Sequence, residues 1–191
     1  RRAEVEKAAG ALAEAVAQAE TFAGARASLG AQVVDEQIKA IVGLFDPRNG
    51  GFGRSPKFPH AAAIDLLLER YQSTRELNLL AIVETTLEKM ARGGVYDHLA
   101  GGFHRYSVDE RWLVPHFEKM SYDNSELLRN YLHAYQVTRK PLFLETAEGI
   151  IGWVTESLSD QARGGFYASQ DADYSLEDDG DYFTWALDEL R

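Results

Sequence analysis

One three-residue word occurs three times along this 191-residue chain: Gly50-Gly51-Phe52, Gly101-Gly102-Phe103 and Gly164-Gly165-Phe166. Each copy follows a stretch of helical periodicity and precedes a long polar stretch, and the phenylalanines lie 51 and 63 positions apart. That interval suits a helical hairpin plus its loop, and self-similarity at such a period marks repeat architecture. Paired glycines permit positive φ and close backbone approach, while the Phe can plug the interface between repeats. The plainer alternative is that Gly-Gly-Phe merely ends helices.

Apolar residues at helical spacing predict six helices. The first runs from about Ala3 to Phe22, with Val5, Ala9, Leu12, Val16 and Ala19 on one face. The second covers Ala31 to Phe45, the third follows Pro59 with Ile64, Leu67 and Leu68, and the fourth spans Glu76 to Met90. The fifth begins between His116 and Asp123 and reaches Thr138. The sixth opens at Pro141, a residue suited to a first helical turn. Short links, Gln72 to Arg75 and Arg139-Lys140, join antiparallel neighbours. The expected fold class is all-α, an (α/α) toroid of helical hairpins, here about half of a six-hairpin barrel, with residues 1–191 as a single domain. The chain opens Arg1-Arg2-Ala3-Glu4 without Met, and Trp185 to Arg191 reads as an unfinished helix, so a piece of a longer protein is expected. A half-ring would leave an apolar edge near Trp153, Phe166 and Trp185, and a homodimer covering that edge is expected.

Charge narrows the partners. A formal net charge of -10 repels polyanions, so neither nucleic acid nor an anionic membrane surface is expected to bind. No run approaches the ~20 apolar residues that span a bilayer. There is no cysteine, hence no disulfide, thiolate nucleophile or cysteine-bound zinc, and with no apolar signal core the cytoplasm is the expected compartment. Asp171-Ala172-Asp173 starts like a calcium loop, but Leu176 stands where the loop needs Gly and Tyr182 where it needs Glu. No His-Glu-x-x-His segment occurs. Neither metal nor cofactor is expected.

The densest chemistry lies between Gly93 and Asn124, where three histidines, three aspartates and two glutamates gather among aromatic residues. Carbohydrate pockets combine aromatic platforms with carboxylate and imidazole groups, so a sugar or a small polar substrate fits this composition. His104 and His116 are the acid–base candidates, with Asp109, Glu118, Asp171 and Asp173 as carboxylate partners. Lys57 and His60 are expected at the mouth, Arg105 and Lys119 on an anionic group, and Tyr106 and Trp112 stacked on a ring. If the fifth helix runs from His116, then His116, Lys119 and Asp123 share a face. Local carboxylates are expected to hold both histidines above the ordinary value of about 6.5. Loop bracing and helix capping are the structural alternatives for the same residues, and His133 is expected to be structural.

Several segments together resemble a known family: Pro56-Lys57-Phe58-Pro59-His60, Gly101 to Asp109, Trp112 to Met120, Tyr122-Asp123-Asn124, and Gly164 to Tyr167 with Asp171-Ala172-Asp173. From about residue 35 onward they are similar to the thioredoxin-domain-containing family that includes spermatogenesis-associated protein 20. Ser121 departs from the pattern where Leu is expected, and the acidic loop after Asp173 is shortened. The resemblance implies a thioredoxin-like domain upstream. It also implies a toroid similar to N-acylglucosamine 2-epimerases and six-hairpin glycosidases. The function expected is therefore a carbohydrate-active-like pocket of epimerase, isomerase or glycosidase type, inactive without the rest of the ring. The alternative is a non-enzymatic scaffold presenting clients to the thioredoxin-like domain.

Overall fold

The protein is described from a computed structural model covering residues 2–20, 30–173, 175 and 180–189, with the side chains of 18–20 set aside. It divides into two compact units, Arg1–Val34 and Asp35–Arg191. The first holds α1 (Arg2–Glu20), whose Arg2 and Glu6 pair one turn apart at 3.0 Å. Helix α2 (Gln32–Gly43) spans the boundary between the units.

The second unit is built from stacked hairpins. Helices α3 (Ala61–Thr74) and α4 (Leu77–Ala91) form one; α5 (Ser121–Thr138) and α6 (Pro141–Trp153) form the next, and α6 continues as a π-helical turn, Val154–Leu158. Each hairpin closes on an arginine in the left-handed region: Arg75 (φ 63°) and Arg139 (φ 58°) donate their backbone N–H to Tyr71 and Tyr135. Their guanidinium groups lie 5.7 and 5.4 Å from those same two rings, a favourable cation–aromatic placement. Helix α3 packs on α5 and α4 on α6, so like helices adjoin like. Ile64, Leu67, Val83, Leu87, Leu127, Phe143 and Ile150 are all fully buried, each worth roughly 1.5–3 kcal/mol of transfer free energy. Tyr131, also buried, donates its hydroxyl to the Leu87 carbonyl at 2.8 Å.

The three Gly-Gly-Phe words are one turn made three times. Asp46, Asp97 and Asp160 each stand four residues before the first glycine, accept its N–H, and donate their own N–H to the second glycine's carbonyl. One carboxylate oxygen of each accepts the N–H groups two and three residues on, at 2.9–3.2 Å. The flanking residues pair antiparallel: Phe45 with Phe52, Tyr96 with Phe103, Ser159 with Phe166. The first turn lies on the end of α4 and the second on the end of α6, and these are the helices from which the second and third turns follow. Loops also pair across repeats through Lys57 with Ser107 and through β3 (Lys119–Met120) with β4 (Ser169–Gln170). All three turns therefore sit on one side of the helical layer.

The fifth helix starts at Ser121, inside the expected span, but two other expectations fail. Pro115–His116 (β2) is extended and pairs with Tyr106–Ser107 (β1), and β3 pairs with β4. His116, Lys119 and Asp123 thus share no helix face. Among the described residues after 180, Asp181–Phe183 forms a 3-10 turn and 184–189 is irregular or turned, so no helix runs from Trp185.

Candidate functional site

Strand alternation sorts the polar loop before α5 into two groups. Pro115 and Phe117 face a cavity of about 520 Å3, while His116 and Glu118 do not. The cavity is walled by Tyr96, Asp97, His98 and His104 from the second loop and by Tyr182, Phe183 and Trp185 from the far end of the chain. The far wall is held by Phe117, stacked on Phe183 at 5.4 Å, and by Gly180, where a β-carbon would come within 2.9 Å of the Phe117 ring. The φ of 82° at Gly180 suits only glycine without strain.

His104 is the polar group most deeply set in this wall, 3% exposed. It meets the edges of Phe117 at 5.2 Å and Phe183 at 4.9 Å. Burial, helped by the Lys119 ammonium, lowers its pKa to about 4, against a weaker upward pull from a hydrogen bond to the Phe117 backbone and from Asp97. The expected elevation is thus reversed: desolvation of the imidazolium outweighs the carboxylates. The ring is neutral at pH 7, and its Nδ1 has no hydrogen-bond partner among the described residues. His98 is also fixed, its Nε2 donating to the Gly93 carbonyl at 2.9 Å with Tyr96 edge-on at 5.3 Å.

Beneath the cavity, Lys119 is fully buried. Its Nζ donates to Asp97 at 2.7 Å and to the Gly101 carbonyl at 2.8 Å, and lies 5.4 Å from the Trp153 ring and 5.3 Å from that of Phe183. Burial alone would raise the Asp97 carboxyl, yet Lys119 and the N–H groups of Ala100 and Leu99 hold it below the usual range. Lys57 repeats the arrangement, buried, with Asp46 at 2.8 Å and the Glu110 carbonyl at 2.9 Å. Neither lysine presents an ammonium to a substrate.

Several other candidates are structural by geometry. Asp109 turns the loop, its carboxylate taking the N–H groups of Arg111 at 2.6 Å, Val114 at 2.6 Å and Leu113 at 3.2 Å; burial pushes its pKa up, but these donors bring it below the usual value. Trp112 is fully buried with its indole N–H on the Asn49 carbonyl at 3.0 Å, leaving no face for a ligand ring. Tyr106 is sandwiched between Phe58 at 4.7 Å and His116 at 4.8 Å. His60 caps α3 in the left-handed region, φ 52°. Asp171 and Asp173 are exposed and line a smaller neighbouring pocket of about 210 Å3, joined to the main cavity only through Tyr182. His133 braces α5 to α3 through Asp65 at 3.3 Å.

Outside the cavity, Arg105 ties Glu118 at 2.9 Å to the Tyr122 hydroxyl at 3.1 Å, and His116 Nε2 lies 3.8 Å from the same Glu118. Asp123 stands beside them, its Oδ2 without a partner among the described residues. Burial, with Glu126 and Glu118 adding to it against Arg105, raises its pKa to about 6. The structure therefore brings Arg105, His116, Glu118 and Asp123 together outside the lining of the cavity that holds His104. Tyr96, His98, Phe117, Tyr182 and Phe183 were not singled out from the sequence. Phe117 could have been found by alternation with His116 and Glu118, but nothing local marks residues 182–185 as a wall.

No family model matches the chain. Among curated proteins it is 37% identical over 158 residues, 77% of its length, to mouse spermatogenesis-associated protein 20, and 38% identical over 158 residues to the human protein of that name. A Caenorhabditis elegans relative, uncharacterized protein B0495.5, is 37% identical over 159 residues. The chain spans 20% of the mouse and human proteins and 22% of the nematode one. Its fold is that of the (α/α) toroids. Cellobiose 2-epimerase from Spirochaeta thermophila superposes with a TM-score of 0.64 at 18% identity, over 74% of this chain and 38% of that one. A sugar epimerase from a ruminal bacterium gives 0.63 at 15% identity over 73% and 40%, and an unsaturated glucuronyl hydrolase specific for heparin 0.58 at 10% over 71% and 41%.

Proposed function

We propose that this chain is part of an (α/α) toroid that binds a neutral sugar or similar polyol in the cavity around His104. The similarity to toroids named as sugar epimerases and hydrolases supports the class of ligand by analogy of fold. The observation that carries the reading is the neutral, buried imidazole, its Nδ1 without a partner among the described residues, in an aromatic-walled cavity. A buried acceptor without a partner costs about 1–3 kcal/mol, and a ligand hydroxyl would recover it. Apolar walls with few convergent polar groups are the usual make-up of a small-molecule site. His116, Glu118 and Asp123 are proposed as an acid–base group beside the cavity, Asp123 being able to hold a proton near neutral pH. The chain by itself is proposed to bind without turnover, since inverting a sugar carbon needs a base on each ring face.

Calorimetric titration of the chain with mannose, N-acetylglucosamine and cellobiose tests this. At least one should bind, and His104→Ala should weaken it tenfold or more while far-UV circular dichroism stays unchanged. Absence of binding by all three, or equal binding by His104→Ala, would overturn the reading.

A further inference from the structure

Asparagine followed by glycine can deamidate without an enzyme, because no side chain on the glycine keeps its backbone nitrogen from the asparagine amide. This chain has that pair once, Asn49-Gly50, inside the first Gly-Gly-Phe turn. The turn grips both reacting groups. The Gly50 N–H, the nucleophile, donates to the Asp46 carbonyl at 2.8 Å. The Asn49 side-chain nitrogen, the leaving group, donates to Asp46 Oδ2 at 2.9 Å. The Trp112 indole holds the Asn49 carbonyl at 3.0 Å, which fixes the peptide plane between the two residues. Swinging the Gly50 nitrogen onto the Asn49 side-chain carbon therefore breaks the indole bond and the Gly50 bond together.

This clamp is locked from its far side. Asp46 Oδ2 also takes the ammonium of the buried Lys57 at 2.8 Å. Gly50 holds a φ of 68° against α4, where a β-carbon would come within 2.9 Å of backbone, and Gly51 lies under the Trp112 ring. The second turn has the same interlock, with Asp97 on Lys119 and Gly102 under Trp153. It carries Ala100 in the place of Asn49, however, and the third turn carries Arg163. Neither of those residues has an amide to lose.

We propose that Asn49-Gly50 is a self-modifying site kept latent by this interlock, one that reacts through the opened turn and leaves it open afterwards. The Gly50 nitrogen gives its proton to solvent hydroxide and attacks Asn49 Cγ. The N–Cγ bond forms, the Cγ–Nδ2 bond breaks, and ammonia leaves with a proton taken from water. Water then opens the five-membered succinimide at one of its two carbonyls, giving aspartate or isoaspartate. Either product sets a carboxylate where the amide donor stood, against the Asp46 carboxylate, and two carboxylates sharing one site repel. Isoaspartate also lengthens the backbone by one carbon, which carries the residue 49 carbonyl away from the Trp112 indole. Refolding undoes neither change.

The test incubates the 191-residue chain at mildly alkaline pH beside a peptide of residues 44–54, following the deamidation mass gain at Asn49. The folded chain should convert at least tenfold more slowly than the peptide. Trp112→Phe, which keeps a ring near Gly51 but gives the Asn49 carbonyl no donor, should convert severalfold faster than the parent. Equal rates in chain and peptide, or no gain in Trp112→Phe, would overturn the latch. Should Trp112→Phe fail to fold, urea below the unfolding transition decides instead. The Asn49 rate of the parent chain must then climb relative to the peptide, and a flat ratio refutes the proposal. The product is tested directly by Asn49→Asp. It should speed hydrogen exchange at the Gly51 amide, which donates to Thr86 Oγ1 at 2.9 Å, at least tenfold over Asn49→Ala, the residue of the second turn. Equal exchange in the two variants would show the turn closing again over the product and contradict the one-way opening.

Discussion

His104 shows which of two opposing effects governs the site. A protonated His104 would have to leave water for a wall of phenylalanine rings beside the Lys119 ammonium, and nearby Asp97 does not compensate. Its folded pKa, about 4, lies below the ordinary 6.5. The unfolded chain therefore binds the extra proton between those values, and stability is full above pH 6.5 and falls as pH drops toward 4. At about 1.36 kcal/mol per pKa unit the loss is on the order of 3 kcal/mol. Asp123 acts oppositely, since its folded pKa of about 6 lies above the ordinary 3.8. It favours the fold below pH 3.8 and loses that contribution as pH rises through 6. Urea unfolding from pH 4 to 8 should thus show stability rising across the His104 window, and His104→Phe should flatten or reverse that rise. NMR titration should place His104 near 4; a midpoint above 6.5 would restore the charge-dominated expectation.

The recurring turn is the element that organises everything else, and its parts differ in cost by their outer contacts. Gly102→Ala forces a β-carbon onto the Trp153 ring at 2.8 Å as well as straining a φ of 77°, whereas Gly165→Ala meets no atom of the described residues within 4 Å and adds the left-handed strain, roughly 1–2 kcal/mol. In this chain Gly102→Ala should lower the melting temperature far more than Gly165→Ala; equal losses would contradict the interlock. Lys119→Met leaves the half-buried Asp97 without its cation and should cost about 1–3 kcal/mol by urea unfolding, with Lys57→Met, whose partner Asp46 is more exposed, costing less. The period of Gly-Gly-Phe was legible because identical residues recur. The aspartate four places earlier carries no mark of its own, and Lys57 and Lys119 read as substrate-facing cations, because lysine is ordinarily a surface residue and only the fold shows both at zero exposure. The extended state of the residues before α5 escaped for a related reason: Lys119 and Met120 are drawn into pairing with Ser169 and Gln170, and partners about fifty residues away leave no local signal.

For the whole molecule, helix positions were readable, since buried stripes such as Ile64, Leu67 and Leu68 repeat at helical spacing. The cavity was only half readable. His104 stood out by residue type, but its opposing wall, Tyr182 to Trp185, is joined to it by tertiary folding alone. Trp153, expected on the open edge, is instead fully buried over Gly102, and exposure falls on Phe166. The central claim is that the His104 imidazole receives a hydroxyl of a neutral sugar. Long-range proton–nitrogen spectra of the five histidines, recorded at pH 7 during titration with mannose, N-acetylglucosamine and cellobiose, measure this directly. The account predicts a saturable shift of His104 Nδ1 in the direction of hydrogen bonding, with Nε2 still protonated and His133 unmoved. A sugar that saturates while His104 Nδ1 stays fixed, or an imidazole already protonated at that pH, would contradict it.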